Sequence, residues 1–259
     1  MKGVAFSPDG IPVCYEVHGA GAPALVFVHG WSCDRSYWRG QVDYFAAHRR
    51  VVLVDLAGHG ESGSGRNPWT MQAFGDDVVA VIEQLSLGRV VLVGHSMGGD
   101  VIVETALRLP GRVVALVWVD VYGRLGEPST LEEREAFVRP FRVEFSSRTQ
   151  DFVRQMFPTG ADPDLVEWVV ADMAAAPPEI AIPALEQAIG NEGPILERLP
   201  RLDVPLVAIN PDSRKTDVEG LRRYGIETVP MPDVGHFLML EDAAGFNRLL
   251  EGTLDPLEG

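Results

Sequence analysis

The sequence predicts an α/β fold in which helices cover both faces of a doubly wound, mostly parallel sheet. The first observation is a set of short apolar runs rich in β-branched residues, at 24–28, 51–55, 90–93, 113–119 and 206–209. Continuous apolarity over such short lengths is typical of parallel strands buried on both faces. The second observation is a set of helical patterns that accompany these runs, at 36–47, 71–85, 97–109 and 243–250. Strands that alternate with helices form βαβ units.

The N-terminal segment departs from this alternation. A Ser-Pro-Asp-Gly turn at 7–10 lies between two strand-like runs, at 4–6 and 11–17. Turn residues between two such runs indicate a β-hairpin. We therefore expect an N-terminal hairpin ahead of the parallel part of the sheet.

Residues 122–199 interrupt the alternation a second time, because they contain helical patterns and no strand-like run. The helical patterns lie at 131–145, 149–156, 163–175 and 179–189, and prolines punctuate the segment. An insertion of this kind is expected at the carboxyl edge of the sheet, where α/β folds bind their ligands. We therefore predict that residues 122–199 form a helical lid within one domain, which spans residues 1–259.

Composition and charge narrow the classes of partner. The chain has 259 residues and a formal net charge of −15. An acidic surface repels nucleic-acid phosphates, so we expect no nucleic-acid partner. No apolar stretch approaches the ~18 residues of a membrane span, and the first ten residues lack the apolar core of a signal peptide. We therefore expect a cytoplasmic protein that acts on a small molecule and has no membrane partner.

The most informative stretch is Val90-Val91-Leu92-Val93-Gly94-His95-Ser96-Met97-Gly98-Gly99. Four apolar residues predict a strand, Gly-x-Ser-x-Gly predicts a sharp turn, and a helical pattern follows at once. Such a turn strains the serine backbone and exposes its hydroxyl group. The helix N-terminus behind Ser96 favours negative charge on a developing oxyanion. The strand, turn and helix together predict that Ser96 is a nucleophile.

With these motifs, the chain resembles the α/β-hydrolase family, and its serine esterase-like branch, over nearly its whole length. His29-Gly30-Trp31 follows the run 24–28 and looks like the oxyanion loop of that family. Asp55-Leu56-Ala57-Gly58-His59-Gly60-Glu61-Ser62 is similar to its D-x-x-G-x-G-x-S loop. The resemblance implies that the backbone N–H groups of Trp31 and Met97 hold the negative charge of the tetrahedral intermediate.

A serine hydroxyl needs an adjacent general base at neutral pH. His236 follows a strand-like run near 228–231 and precedes the C-terminal helical pattern. That position matches the catalytic histidine of the family, and the serine-first, histidine-last order agrees with it. We therefore predict that His236 is the base.

Two aspartates compete for the third position, in which a carboxylate orients the histidine. Asp212 follows the run 206–209, where the family often has its acid, but the usual G-x-x-D ending is absent. Asp120 ends the run 113–119, and some esterases and haloalkane dehalogenases resemble this arrangement. We prefer Asp120 and keep Asp212 as the alternative. Asp217 is interpreted as a helix N-cap.

These residues predict hydrolysis of a carboxylic ester or lactone through an acyl-enzyme on Ser96, without a metal or other cofactor. Because the residue at the sharp turn of 94–98, the nucleophile elbow, is serine, the chemistry of the aspartate-dependent epoxide hydrolases and dehalogenases is disfavoured. Carbon–carbon bond hydrolysis and perhydrolysis use similar triads and stay open, as does a slow-turnover ligand-binding or signalling protein. Trp31 and Phe237, which lie beside the oxyanion loop and the histidine, are the predicted substrate-binding residues.

Overall fold

The computed structural model describes residues 1–257, and within them one eight-stranded sheet has the order β1-β2-β4-β3-β5-β6-β7-β8. The strands are β1 (Lys2–Phe6), β2 (Pro12–His18), β3 (Ala24–Val28), β4 (Val51–Val54), β5 (Val90–His95), β6 (Val113–Val119), β7 (Leu206–Pro211) and β8 (Ile226–Met231). β1 and β2 form the predicted antiparallel hairpin, and β2 is antiparallel to β4. All other neighbours are parallel. The predicted doubly wound sheet is therefore confirmed.

Burial explains why the central strands are continuously apolar. Every residue of β3, β4 and β5 is buried, because helices cover both faces of the sheet. The helices outside the insertion are α1 (Arg39–Ala46), α2 (Met71–Gln84), α3 (Met97–Arg108), α9 (Val218–Arg222), α10 (Leu238–Glu241) and α11 (Ala243–Leu254). In the described part of the chain, no helix combines the length and apolar character needed to cross a bilayer.

Five helices occupy the segment between β6 and β7, and four of them correspond to the helical patterns predicted within residues 122–199. They are α4 (Leu131–Val143), α5 (Phe145–Arg154), α6 (Pro163–Ala174), α7 (Pro178–Gly190) and α8 (Glu192–Arg198). Local signals fix the starts of α4 and α6. Thr130 and Glu133 form a capping box before α4, and the Asp162 side chain caps α6 ahead of Pro163. The Asp217 carboxylate caps α9 in the same way, as expected.

The structure differs from the sequence pattern at three helices. The predicted helix at 36–47 begins as a 3-10 turn over Arg35–Trp38, with Asp34 as its cap, before α1 starts. The helix predicted at 149–156 is α5, which begins four residues earlier, directly after α4. The short helix α8 was not predicted, because it has seven residues and shows too little of the 3.6-residue period.

Close backbone contacts fix the turn between β5 and α3. A Cβ atom at Gly94 would lie 2.3 Å from the Gly98 carbonyl oxygen. A Cβ atom at Gly98 would lie 2.6 Å from the carbonyl oxygens of Val28 and His29. Helix α3 therefore packs closely against β5 and against the end of β3, and the turn has no room for a side chain at either glycine.

We predict that Gly94→Ala lowers the free energy of unfolding by about 1 to 3 kcal/mol, because the added methyl group overlaps backbone atoms. The control is Gly252→Ala in α11, where a Cβ atom meets nothing within 4 Å. That change should raise the unfolding free energy by roughly 0.5 to 1 kcal/mol, because alanine stabilises a helix interior. Urea unfolding of both variants tests the prediction, and equal effects would contradict it.

Candidate active site

Ser96 occupies the turn from β5 to α3 with φ 51° and ψ −122°, a backbone conformation that L-residues rarely adopt. Its N–H donates a hydrogen bond to the Val119 carbonyl oxygen at 3.0 Å, and its own carbonyl accepts one from Gly99 N–H at 2.8 Å. Among the described residues, the Ser96 hydroxyl has no hydrogen-bond partner. The side chain is half-buried and faces the cavity described below.

His236 lies in the loop between β8 and α10, and its Nδ1 atom is 2.6 Å from Asp120 Oδ2. Asp120 follows β6 directly and has a positive φ of 48°, with its N–H bonded to Ile209 O at 2.9 Å. Both side chains are buried, each residue being 8% exposed. The structure thus brings Asp120 and His236 together at the carboxyl edge of the sheet, beside Ser96.

Asp212, the alternative acid, is not brought to His236. Strand β7 runs two residue pairs beyond the predicted end at residue 209, to Pro211 opposite Met231. The Asp212 N–H therefore bonds Met231 O at 2.9 Å, and its exposed carboxylate accepts the Asp233 N–H at 3.3 Å. The structure therefore corrects the alternative prediction: Asp212 does not contact His236, and Asp120 does.

Three neighbours hold the backbone around His236. The Glu241 carboxylate accepts the N–H groups of Gly235 and Phe237, at 2.8 and 2.9 Å. The His95 ring is 2.8 Å from the His236 carbonyl oxygen through Nε2, so this nitrogen carries the proton and donates it. The His236 N–H in turn donates to Met156 O at 3.0 Å, in the loop after α5.

Burial controls the charge of the two histidines. It lowers the pKa of His236 to about 3, with the positive charge of Arg214 as the second cause. Burial also lowers the pKa of His95 well below its ordinary value. Both rings are therefore neutral at pH 7, and a neutral imidazole is the form that accepts a proton.

Two backbone amides near the expected oxyanion loop have no hydrogen-bond acceptor within residues 1–257: one belongs to Trp31 in that loop and the other to Met97 at the start of α3. Met97 is the first residue of α3, where N–H groups have no partner inside the helix. His29 supports the loop: its Nδ1 donates to Gly30 O at 2.8 Å, and its Nε2 accepts the Leu56 N–H at 3.0 Å.

A cavity of about 490 Å³ lies above these residues, and Ser96 and His236 both line it. Much of the remaining wall comes from apolar residues of the inserted helices and their loops, namely Phe137, Phe152, Met156, Met173, Leu185, Ala188 and Ile189. Trp31 and Phe237, the predicted substrate-binding residues, also line it. Both are anchored to the insertion: Trp31 Nε1 donates to Ala181 O at 2.6 Å, and Phe237 stacks on Phe157 with ring centroids 5.0 Å apart.

Three cavity residues with charged groups, Asp100, Glu192 and Arg214, escaped the sequence analysis. Asp100 lies four residues after Ser96 on α3, a spacing that could have indicated a shared helix face. It is 3% exposed and accepts the Tyr122 hydroxyl at 3.0 Å, and burial raises its pKa from 3.8 to about 7. Arg214 forms an ion pair with Asp120, and no sequence signal pointed to it. No three His, Cys, Asp or Glu side chains of the described chain form a group suited to a metal ion.

We predict that the stability difference between Asp100→Asn and the wild type depends on pH. Because the folded pKa lies above the unfolded value, the folded state holds this proton more tightly, and wild-type stability falls as pH rises from about 4 to 7. The asparagine variant lacks this loss. The free energy of unfolding of Asp100→Asn minus that of the wild type should be larger at pH 8 than at pH 5 by about 2 to 3 kcal/mol.

Urea unfolding at the two pH values measures this difference. Asp151→Asn, on an exposed part of α5, is the control and should change stability equally at both. A pH-independent effect of Asp100→Asn would contradict the prediction.

Comparisons with known proteins identify the family of the chain. The profile described as "Alpha/beta hydrolase family" matches residues 25–249. The chain is 24% identical over 247 residues to 3-oxoadipate enol-lactonase 2 of Acinetobacter baylyi, and the match covers 91% of this chain and 90% of that one. It is 34% identical over 152 residues to a dihydrolipoyllysine-residue acetyltransferase component of the acetoin cleaving system of Pseudomonas putida, over 59% of this chain.

The chain spans only 39% of the length of that acetyltransferase component. Among solved structures, a thermophilic esterase from Thermogutta terrifontis superposes with a TM-score of 0.84 at 25% identity, over the full length of both chains. The family profile covers most of the chain, and the same fold extends over all of it. The protein therefore belongs to the alpha/beta hydrolase family.

Proposed function

We propose that the protein is a serine hydrolase that cleaves small carboxylic esters or lactones through an acyl-enzyme on Ser96. The observation that carries the proposal is the joint placement of three groups. Ser96, with its strained backbone at a strand-to-helix turn, lines the same cavity as His236. The Nδ1 atom of His236 lies 2.6 Å from the buried carboxylate of Asp120. Nucleophile, base and orienting acid form such a set in serine hydrolases on unrelated folds.

In the acylation step, His236 Nε2 takes the proton of the Ser96 hydroxyl as its oxygen attacks the substrate carbonyl carbon. The contact with Asp120 keeps the other proton on Nδ1, so Nε2 is the free acceptor. The neutral state of His236 at pH 7 suits this role. In such pairs the hydrogen bond between serine and histidine is commonly long and tightens only when substrate binds.

The developing oxyanion is assigned to the N–H groups of Trp31 and Met97. Each is unpaired among the described residues, and the second also lies at the N-terminus of α3, where the helix dipole favours negative charge. The imidazolium of His236 then protonates the leaving alkoxide. In the second step, His236 takes a proton from water as the water attacks the acyl-enzyme. It then returns the proton to the Ser96 oxygen, and the carboxylic acid product leaves.

The inserted helices are assigned the role of a lid that shapes the acyl or alcohol pocket. Their aromatic and methionine side chains form much of the cavity wall, and a largely apolar pocket with a few polar groups is typical of small-molecule sites. The Met156 carbonyl, which accepts the His236 N–H, links the lid directly to the loop of the base. The relatives named as an enol-lactonase and an esterase support an ester or lactone as the substrate class.

We predict that the wild type hydrolyses short 4-nitrophenyl esters and that Ser96→Ala lowers kcat by about 10⁴-fold or more. Release of nitrophenolate measures the rate, and unchanged thermal unfolding shows that the variant is folded. Ligand binding without turnover on a broad panel of esters and lactones would instead favour a binding protein. Full activity of Ser96→Ala would contradict the proposal outright.

Two matched variants test which aspartate orients His236. Asp120→Asn should lower kcat by about 10³ to 10⁴-fold, because asparagine neither holds the tautomer of His236 nor stabilises the imidazolium. Asp212→Asn removes the exposed carboxylate at the end of the neighbouring strand and should change kcat by less than about twofold. Equal losses in both variants would show that Asp120 has been assigned wrongly.

A further inference from the structure

Arg214 lies in the loop between β7 and α9, and its guanidinium group reaches the proposed acid. It forms an ion pair with Asp120 Oδ2, the same oxygen that contacts His236 Nδ1. A guanidinium nitrogen of Arg214 also lies 3.3 Å from His236 Nδ1. One carboxylate oxygen therefore faces both the base and a permanent positive charge.

The guanidinium group also faces the cavity. Arg214 lines it together with Ser96 and His236, and it is the only arginine or lysine among the described residues that do so. Its side chain is 57% exposed, and within residues 1–257 it has no acceptor besides Asp120. Arginine carries five N–H donors, so most of them remain available to a second anion.

The ion pair between Arg214 and Asp120 opposes the proposed chemistry. The imidazolium of His236 forms during attack and depends on the negative charge of Asp120 for its stability. Arg214 neutralises part of that charge and repels the imidazolium. The other ionisable groups around His236 do not replace the charge, since Glu241 is occupied by two backbone N–H groups and His95 is neutral.

We infer that Arg214 is a specificity-determining residue that binds a carboxylate of the substrate and, in doing so, releases Asp120 to His236. The inference rests on the proposed hydrolase function. The substrate class is then an ester or lactone that carries a free carboxylate close to the scissile group. A carboxylate matches the planar fork of arginine with two parallel hydrogen bonds, which makes it a competitive partner for Arg214.

Another charged group of the wall limits where the substrate carboxylate binds. Glu192 also lines the cavity and would repel an anion that approached it. The carboxylate is therefore held beside His236, while the apolar residues of the inserted helices take the rest of the molecule. This distribution selects for one carboxylate and against polyanions.

The test compares pairs of similar substrates in which one member carries a free carboxylate and the other does not. One pair places the charge on the acyl group, namely 4-nitrophenyl hemiglutarate and 4-nitrophenyl valerate. The other pair places it on the leaving group, namely 4-acetoxybenzoate and its methyl ester. In at least one pair, Arg214→Gln should reduce the ratio of kcat/KM for the anionic to the neutral ester by on the order of tenfold. Arg214→Lys should retain part of the preference.

Two further readouts separate this role from a merely structural one. Arg214→Gln should raise kcat for the neutral esters, because Asp120 is freed. The acid limb of its pH profile should also move to higher pH, because loss of the positive charge raises the pKa of His236. Lys215→Gln is the control: it removes the same charge from an exposed neighbour that does not line the cavity, and it should leave the ratio unchanged.

A binding experiment keeps the inference testable if no ester is turned over. Calorimetric titration of monomethyl glutarate into Ser96→Ala and into Ser96→Ala/Arg214→Gln should give dissociation constants that differ on the order of tenfold. Equal constants, or an unchanged ratio of kcat/KM in both ester pairs, would overturn the inference. Failure of the wild type to cleave any ester, with charge-selective binding retained, would instead overturn the hydrolase function alone.

Discussion

The close approach of α3 to β5 is the constraint on which the rest of the site depends. With glycine at positions 94 and 98, the helix begins in contact with the end of β3, and Ser96 is held at φ 51° between strand and helix. The same approach sets the first N–H groups of α3 beside the loop that carries Trp31. The strained backbone of Ser96 and the unpaired amide of Met97 therefore depend on one packing contact between regular elements.

Charge at the site is controlled chiefly by burial. Burial keeps His236, the proposed base, and His95 neutral, and His95 donates a hydrogen bond to the backbone of His236. Asp100 keeps its proton to an unusually high pH for the same reason. Arg214 is the exception, because its side chain is largely exposed and permanently charged. It is therefore the group through which a substrate can change the electrostatics of the base.

The sequence predicted the sheet, the hairpin, the inserted helices and the elbow, because each depends on local periodicity or on glycine spacing. The placement of the acid could not be fixed in that way. Asp120 and Asp212 both follow strands, and the two extra β7–β8 pairs that end at Pro211 and Met231 turn Asp212 away from His236. Arg214 and Glu241 were missed because their partners, Asp120 and the N–H groups around His236, are distant in sequence or belong to the backbone.

The central claim is that Ser96 is the acylated nucleophile of this member of the alpha/beta hydrolase family. The most direct measurement is peptide mass mapping after treatment with a 4-nitrophenyl alkylphosphonate, which mimics the tetrahedral intermediate and stays bound to the serine it modifies. The account predicts one phosphonyl group per chain, on the peptide that contains Ser96, with parallel loss of esterase activity. A label on another residue, or full esterase activity after Ser96 has been labelled, would contradict it.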